Sequence, residues 1–216
     1  MVMAVALLVC AWPAVAAEKF SVKVEDIPPP KELSDAIRDL LVSKAMTVYD
    51  EGGKAICTIW PRKEVEAKAI TGPSYFDLEE STLIGAIRFP QTWSDYRKQK
   101  IRAGVYTLRL GIQPMDGDHI GTAPYNEFLL PAPADKDTKP DQLETEEFHE
   151  LSMHSTTRRH PGLMLLFPNP KPADEPTIEA KPQDHWVLSF KIPVSSDGKK
   201  APLGFSLVVA GHTSAE

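Results

Sequence analysis

Cysteine is nearly missing from this chain, with Cys10 and Cys57 the two thiols in 216 residues. Charge is missing from residues 1–17 (MVMAVALLVCAWPAVAA), where an apolar run from Val2 to Trp12 ends at Pro13. Ala14-Val15-Ala16 or Val15-Ala16-Ala17 then offers the small residues a signal peptidase requires, so 1–17 is read as a cleaved signal peptide despite its lack of a basic start. The alternatives are an uncleaved N-terminal anchor and a lipoprotein acylated at Cys10. Val9 argues against the second, because that processing prefers glycine or alanine there. With the signal removed, Cys57 stands alone, no intramolecular disulfide can form, and the domain rests on its core. No later segment approaches the roughly 18 consecutive apolar residues of a membrane span. An excess of positive charge is lacking too: the formal net charge is −6, which argues against non-specific binding to nucleic acid or anionic lipid.

Common catalytic signatures are also lacking. The chain has no G-x-S-x-G elbow, P-loop, G-x-G-x-x-G or C-x-x-C. His149-Glu150-Leu151-Ser152-Met153-His154 comes closest to a metalloprotease motif, but its histidines are five apart. They fall about 140° apart around a helix and cannot share a metal from it.

Proline, by contrast, is abundant: 20 of 216, nearly twice the usual level of roughly 5%. That argues against a helix bundle, since proline breaks helix interiors. The 42% hydrophobic and 25% charged content fits a folded chain. Phe20–Glu25 alternates apolar and polar, the period of a half-buried strand. Leu33, Ala36, Ile37, Leu40 and Leu41 recur at helical spacing and predict a helix over about 31–42. Lys44–Tyr49 and Lys54–Trp60 form a predicted hairpin around Asp50-Glu51-Gly52-Gly53. Further strands are expected at Glu64–Ile70, Thr82–Phe89, Gly104–Gly111, Tyr125–Leu130 (stopped by Pro131 and Pro133), Leu163–Phe167, Thr177–Ala180, His185–Ile192 and Leu203–Ala210. Gln91–Lys100 reads as a helical turn, and Glu144–Ser155 as a helix with Phe148, Leu151 and Ser152 inward. Residues 132–147 and 168–176 read as surface loops, with Asp197-Gly198 between the last two strands. The sum is an all-β sandwich of roughly nine or ten strands with two short helices, a single domain over 18–216. Were there two domains, 168–176 would be the boundary.

Candidate chemistry is sparse. Asp116-Gly117-Asp118-His119 follows a strand and Pro114, and could hold a divalent metal together with His212 or His185. A tight turn that caps its own backbone is the simpler reading of the same residues. Six histidines, with Met115 near His119 and Met153 beside His154, would suit copper, but no Met/His cluster repeats. Trp93 and Tyr96, three residues apart, are the candidate sugar-stacking pair, whereas Trp60 and Trp186 belong in the core. Cys57 alternates with Ala55 and Ile59 and reads as a small buried residue. Residues 135–150 hold seven acids against two lysines, a charge of −5, which suits a solvated loop or contact with a basic partner.

Over residues 54–167, IWPRKEV (59–65), the stretch 85–119 containing AGVYTLRLGIQPMDGDH, GTAPYNEFLL (121–130) and HELS (149–152) resemble a family of exported bacterial proteins of unassigned activity. The A-G-x-Y-x-L strand resembles a pattern of secreted β-sandwich modules. The resemblance implies export and a β-rich fold and brings no catalytic residues. The expectation is therefore an exported, secreted or periplasmic, non-enzymatic binding or structural module without a cofactor, recognising an unknown protein or glycan. The alternatives are an extracytoplasmic metal-binding protein and a carbohydrate-binding module.

Overall fold

The structure, a computed structural model, describes residues 19–72, 74–114, 123–157 and 160–213. The proposed signal, Cys10 and the Asp116-Gly117-Asp118-His119 loop lie outside the described residues. The fold is all-β. Ten strands follow one another across a continuous curled sheet. Its first part runs β1 (Phe20–Glu25), β2 (Ala45–Asp50), β3 (Ala55–Pro61), β5 (Leu83–Phe89), β8 (Gly104–Ile112) and β9 (Glu127–Pro133). Then β10 (Met164–Phe167) leads to β13 (Lys199–Ala210), β12 (His185–Ser196) and β11 (Thr177–Lys181). β10 is the fold line: Met164 and Leu165 pair with β9, whereas Leu166 and Phe167 pair with β13. The two halves face each other across a shared core that holds Met46, Val48, Cys57, Ile59, Tyr106 and Leu108 from one side and Leu188, Phe190, Ile192, Phe205 and Leu207 from the other. Among the described residues, three two-residue strands complete the set: β4 (Val65–Glu66), parallel to β12, and the small hairpin β6 (Trp93–Ser94) with β7 (Lys100–Ile101).

The outer faces are covered as well, and for this reason β8 is buried on both faces rather than alternately. A second cluster of Leu33, Ile37, Leu41, Trp60 and Leu83 packs beneath α1 (Asp35–Arg38). Trp60 is fully buried there and its indole N–H donates to the Ile27 carbonyl at 2.8 Å. A third cluster, with Phe128, Leu130, Leu165, Val187 and Val208, packs beneath Phe148 of α2 (Thr145–Met153). Ser152 turns inward with Phe148, while Leu151 is half-buried.

Several expectations require correction. The helix foreseen over 31–42 is a four-residue turn capped by Ser34, whose hydroxyl accepts from the Ile37 N–H. The buried stripe of Leu33, Ile37 and Leu41 survives, but Leu41 leaves the helix to bridge Arg62. The Glu64–Ile70 strand shrinks to β4, and the helical turn at 91–100 is the β6–β7 hairpin. β9 does not stop at Pro131. The Gln113 N–H, just past β8, donates to the Asn126 carbonyl, and the Ala134 N–H donates to the Val105 carbonyl of β8; even-numbered residues therefore face that strand, and Pro131 and Pro133 direct their missing N–H away from the ladder. The Pro131 carbonyl accepts instead from Ser152 Oγ of α2 at 2.9 Å.

Residues 132–147 are likewise more than a solvated loop, because Asp137 is buried against Arg109. Arg109 Nε and Nη2 donate to the two carboxylate oxygens at 2.7 and 2.8 Å. Its other donors reach the carbonyls of Ser81, Lys139 and Asp141, and Thr107 Oγ1 bonds the same carboxylate. Cys57 is wholly buried, and burial pushes its thiol pKa up to about 12, so it behaves as a small apolar residue.

Candidate functional site

The long β12–β13 hairpin has a cleft at each end. At its open end, a groove of about 230 Å³ is lined by residues from four parts of the chain. Phe20 and Ile56 come from the start of β1 and β3, Gln91 to Ser94 from the approach to β6, and Val209 to His212 from the end of β13. The groove brings together two residues that the sequence singled out for different chemistries, Trp93 and His212.

Trp93 is half-buried and held in place. One face stacks on Phe89, with ring centroids 4.8 Å apart and 14° between planes. Its indole N–H donates to the Val209 carbonyl at 3.1 Å. Phe20 meets Trp186 edge-on at 5.2 Å beside the groove. A ring fixed this way loses little conformational entropy when a ligand stacks on it. Tyr96 is in a different position. It is buried in the third core cluster near the His185 ring, so of the Trp93/Tyr96 pair only Trp93 keeps accessible ring surface.

His212 is exposed, and Nδ1 lies 3.0 Å from the Asp95 carbonyl oxygen. A carbonyl can only accept, so in the neutral ring the proton sits on Nδ1 and Nε2 keeps its lone pair as an acceptor. His185, buried beside Phe167 and Tyr96, donates in the same way from Nε2 to the His212 carbonyl at 3.1 Å. His185 therefore positions the backbone of His212 rather than sharing a ligand with it. Among the described residues no three His, Cys, Asp or Glu side chains gather into a metal-binding group.

Asp95 organises the groove, and the sequence reading missed it. Its carboxylate accepts from the Arg97 and Gln99 N–H groups at 2.9 and 2.7 Å through one oxygen. The other oxygen takes Gln99 Nε2 at 2.8 Å and the Leu163 N–H at 3.0 Å. Burial is the main cause that raises its pKa; these four donors pull the other way. The same residue closes the β6–β7 turn through its carboxylate and anchors His212 through its backbone carbonyl, so one residue fixes both sides of the groove. The signal was visible in Trp-Ser-Asp-Tyr-Arg-Lys-Gln, but an aspartate that accepts from following N–H groups starts a helix as readily as it closes a turn.

The remaining polar groups of the groove are Gln91, Thr92 and Ser94. Lys54 donates to Gln91 Oε1 at 2.6 Å and ties the β2–β3 hairpin to the groove's rim. The arrangement offers a fixed aromatic ring, an apolar floor, hydroxyl and amide groups and one imidazole acceptor. No protein-family model, curated protein or solved structure matches the chain.

Proposed function

We propose that this protein is an exported binding module whose ligand site is the groove beside Trp93, and that the ligand is a sugar ring. The observation that carries the reading is the convergence of a clamped indole and an imidazole acceptor in one small groove. A pyranose has an apolar C–H face that stacks on an aromatic ring and a hydroxyl edge that donates to an acceptor such as His212 Nε2. About 230 Å³ lies below the roughly 300–1,000 Å³ typical of drug-sized ligands, so the groove suits one ring rather than a chain of them. Export rests on the uncharged apolar segment 1–17 and on the exported family that residues 54–167 resemble.

The test is a titration of the mature protein with a panel of monosaccharides and short oligosaccharides, followed by tryptophan emission and amide chemical shifts. Binding should perturb Trp93, Thr92 and His212 together, and Trp93→Ala should weaken it at least tenfold while the fold is retained. If no glycan shifts those resonances at millimolar concentration, the reading fails.

A further inference from the structure

The rim of the Trp93 groove carries three lysines, each brought there by a different element. Lys54, just before β3, donates from Nζ to Gln91 Oε1 at 2.6 Å, which sets its ammonium against a residue that lines the groove. An ammonium has three N–H donors, so two remain for a ligand. Lys100 of β7 is the direct cross-strand partner of Ser94 of β6, another lining residue. Partners across an antiparallel ladder share one face, with Cβ atoms about 4.5–5.5 Å apart. Lys19 Nζ lies 5.9 Å from the centroid of the Phe20 ring, which forms part of the groove's wall. All three lysines are exposed, and none joins an ion pair among the described residues.

No aspartate or glutamate lines the groove. The acids on the elements around it are turned elsewhere. Asp95 is buried and its carboxylate takes four donors. Asp50 Oδ1 accepts from the Gly52 and Lys54 N–H groups of its own turn. Asp184 approaches Gly211 through its backbone carbonyl. The local excess of positive charge therefore stands against a chain whose net charge is −6. A protein of that sign repels anionic ligands at long range, so a preference for one has to arise at the groove itself.

We propose that the sugar taken by the Trp93 groove is a carboxylated pyranose of the hexuronic-acid class. Its ring face lies on Trp93, a hydroxyl donates to His212 Nε2, and its carboxylate sits at the rim formed by Lys54 and Lys100. The inference rests on the sugar reading of this groove and adds the charge of the ring. A carboxylate fits better than a sulfate or phosphate ester because of size. Oxidising the CH2OH arm of a pyranose to COO⁻ adds no bulk, whereas an ester adds a whole tetrahedral group to a groove of about 230 Å³.

The experiment titrates the isotope-labelled mature protein with matched methyl glycosides of the gluco, galacto and manno series. Each series supplies the neutral hexoside, the hexuronide and the 6-sulfate, and the Trp93 indole N–H resonance reports binding. In any series that moves this resonance, the hexuronide should bind about fivefold or more tightly than the neutral hexoside at ~20 mM salt. That advantage should fall to about twofold or less at ~0.5 M salt, where exposed charges are screened. Lys54→Gln/Lys100→Gln should shrink the hexuronide-to-hexoside affinity ratio, and Lys44→Gln, at the far end of β2, should leave the ratio as it is. The proposal is overturned if hexoside and hexuronide bind alike, if the sulfate binds best, if the preference survives high salt, or if the double variant keeps the ratio. Should no series move Trp93, the sugar reading itself fails and this inference falls with it. The wild-type protein at the two salt concentrations decides the matter if the double variant does not fold.

Discussion

All five N–H donors of Arg109 reach acceptors: two on the Asp137 carboxylate and three on the carbonyls of Ser81, Lys139 and Asp141. Both charged side chains are buried, so neither has water to fall back on. Removing one partner of such a pair leaves a desolvated charge, which costs about 3–5 kcal/mol. Arg109→Met should therefore lower the urea-denaturation free energy by about that amount. The Arg109→Met/Asp137→Asn double variant should lose less than the sum of the two single variants, because each single loss includes the same interaction. Strict additivity would show that the two residues act separately. Tyr49 and Glu25 join β2 to β1 in a different way, at the surface. The Tyr49 hydroxyl lies 3.0 and 2.9 Å from the two Glu25 carboxylate oxygens, and Thr47, then Tyr49, hold the Glu25 pKa below its ordinary value. A carboxyl with a depressed folded pKa stabilises above its unfolded pKa, and that contribution is lost as pH falls through the folded value. Tyr49→Phe should raise the Glu25 pKa in a carbon-detected NMR titration and shrink the acid-side loss of stability assigned to this pair; an unchanged pKa would refute the pairing. Neither interaction could be read from the chain. The alternation Val105, Thr107, Arg109 put an arginine on a strand face, but its partner lies 28 residues away in a stretch whose −5 charge suggested solvent.

At the scale of elements, sequence reading succeeded where one local cause decides. The β2–β3 hairpin turns at Gly53, whose φ of +74° suits glycine. The β12–β13 hairpin turns at Asp197-Gly198, both with positive φ, and Ser196 faces Lys199. Reading failed where two local causes are degenerate and packing decides. The stripe Leu33, Ile37, Leu41 satisfies a helix, yet it is equally served by one turn followed by a bridge to Arg62, which brings Leu41 under Trp60 in the same cluster. Prolines in β9 signalled a stop because a central strand needs every N–H. β10 pairs with β9 only at Met164 and Leu165, so by Pro131 that side of the strand has no ladder left to break. For the groove, the sequence named Trp93 and His212 but for separate chemistries, because their meeting depends on the end of β13 lying beside the β6–β7 hairpin, 119 positions along the chain. Phe89 and Asp95, which clamp them, look like ordinary strand and turn residues until that contact exists.

At the scale of the whole molecule, the question is whether the two halves of the sheet unfold as one. The segment 168–176 would be the boundary between two domains, yet β10 before it and β11 after it belong to one sheet, and the central core draws side chains from both halves. Separating the halves would expose Leu166, Leu188, Phe205 and Leu207 against Met46, Ile59 and Tyr106. Each large side chain returned to water costs about 1.5–3 kcal/mol, so a half-unfolded state should not be populated. The tryptophans make this measurable: Trp60 and Trp93 report on the first half and its hairpin, Trp186 on β12. Urea transitions followed by tryptophan emission and by far-ultraviolet circular dichroism should coincide. Leu166 sits on the fold line and is fully buried. Leu166→Ala should therefore cost about 2–5 kcal/mol, moving both midpoints together at constant slope. Two separated transitions, or a Leu166→Ala shift seen by one probe alone, would mean that β10 links two independent units. Coincidence would mean that the Trp93 groove, lined from both halves of the sheet, is held by one cooperative core.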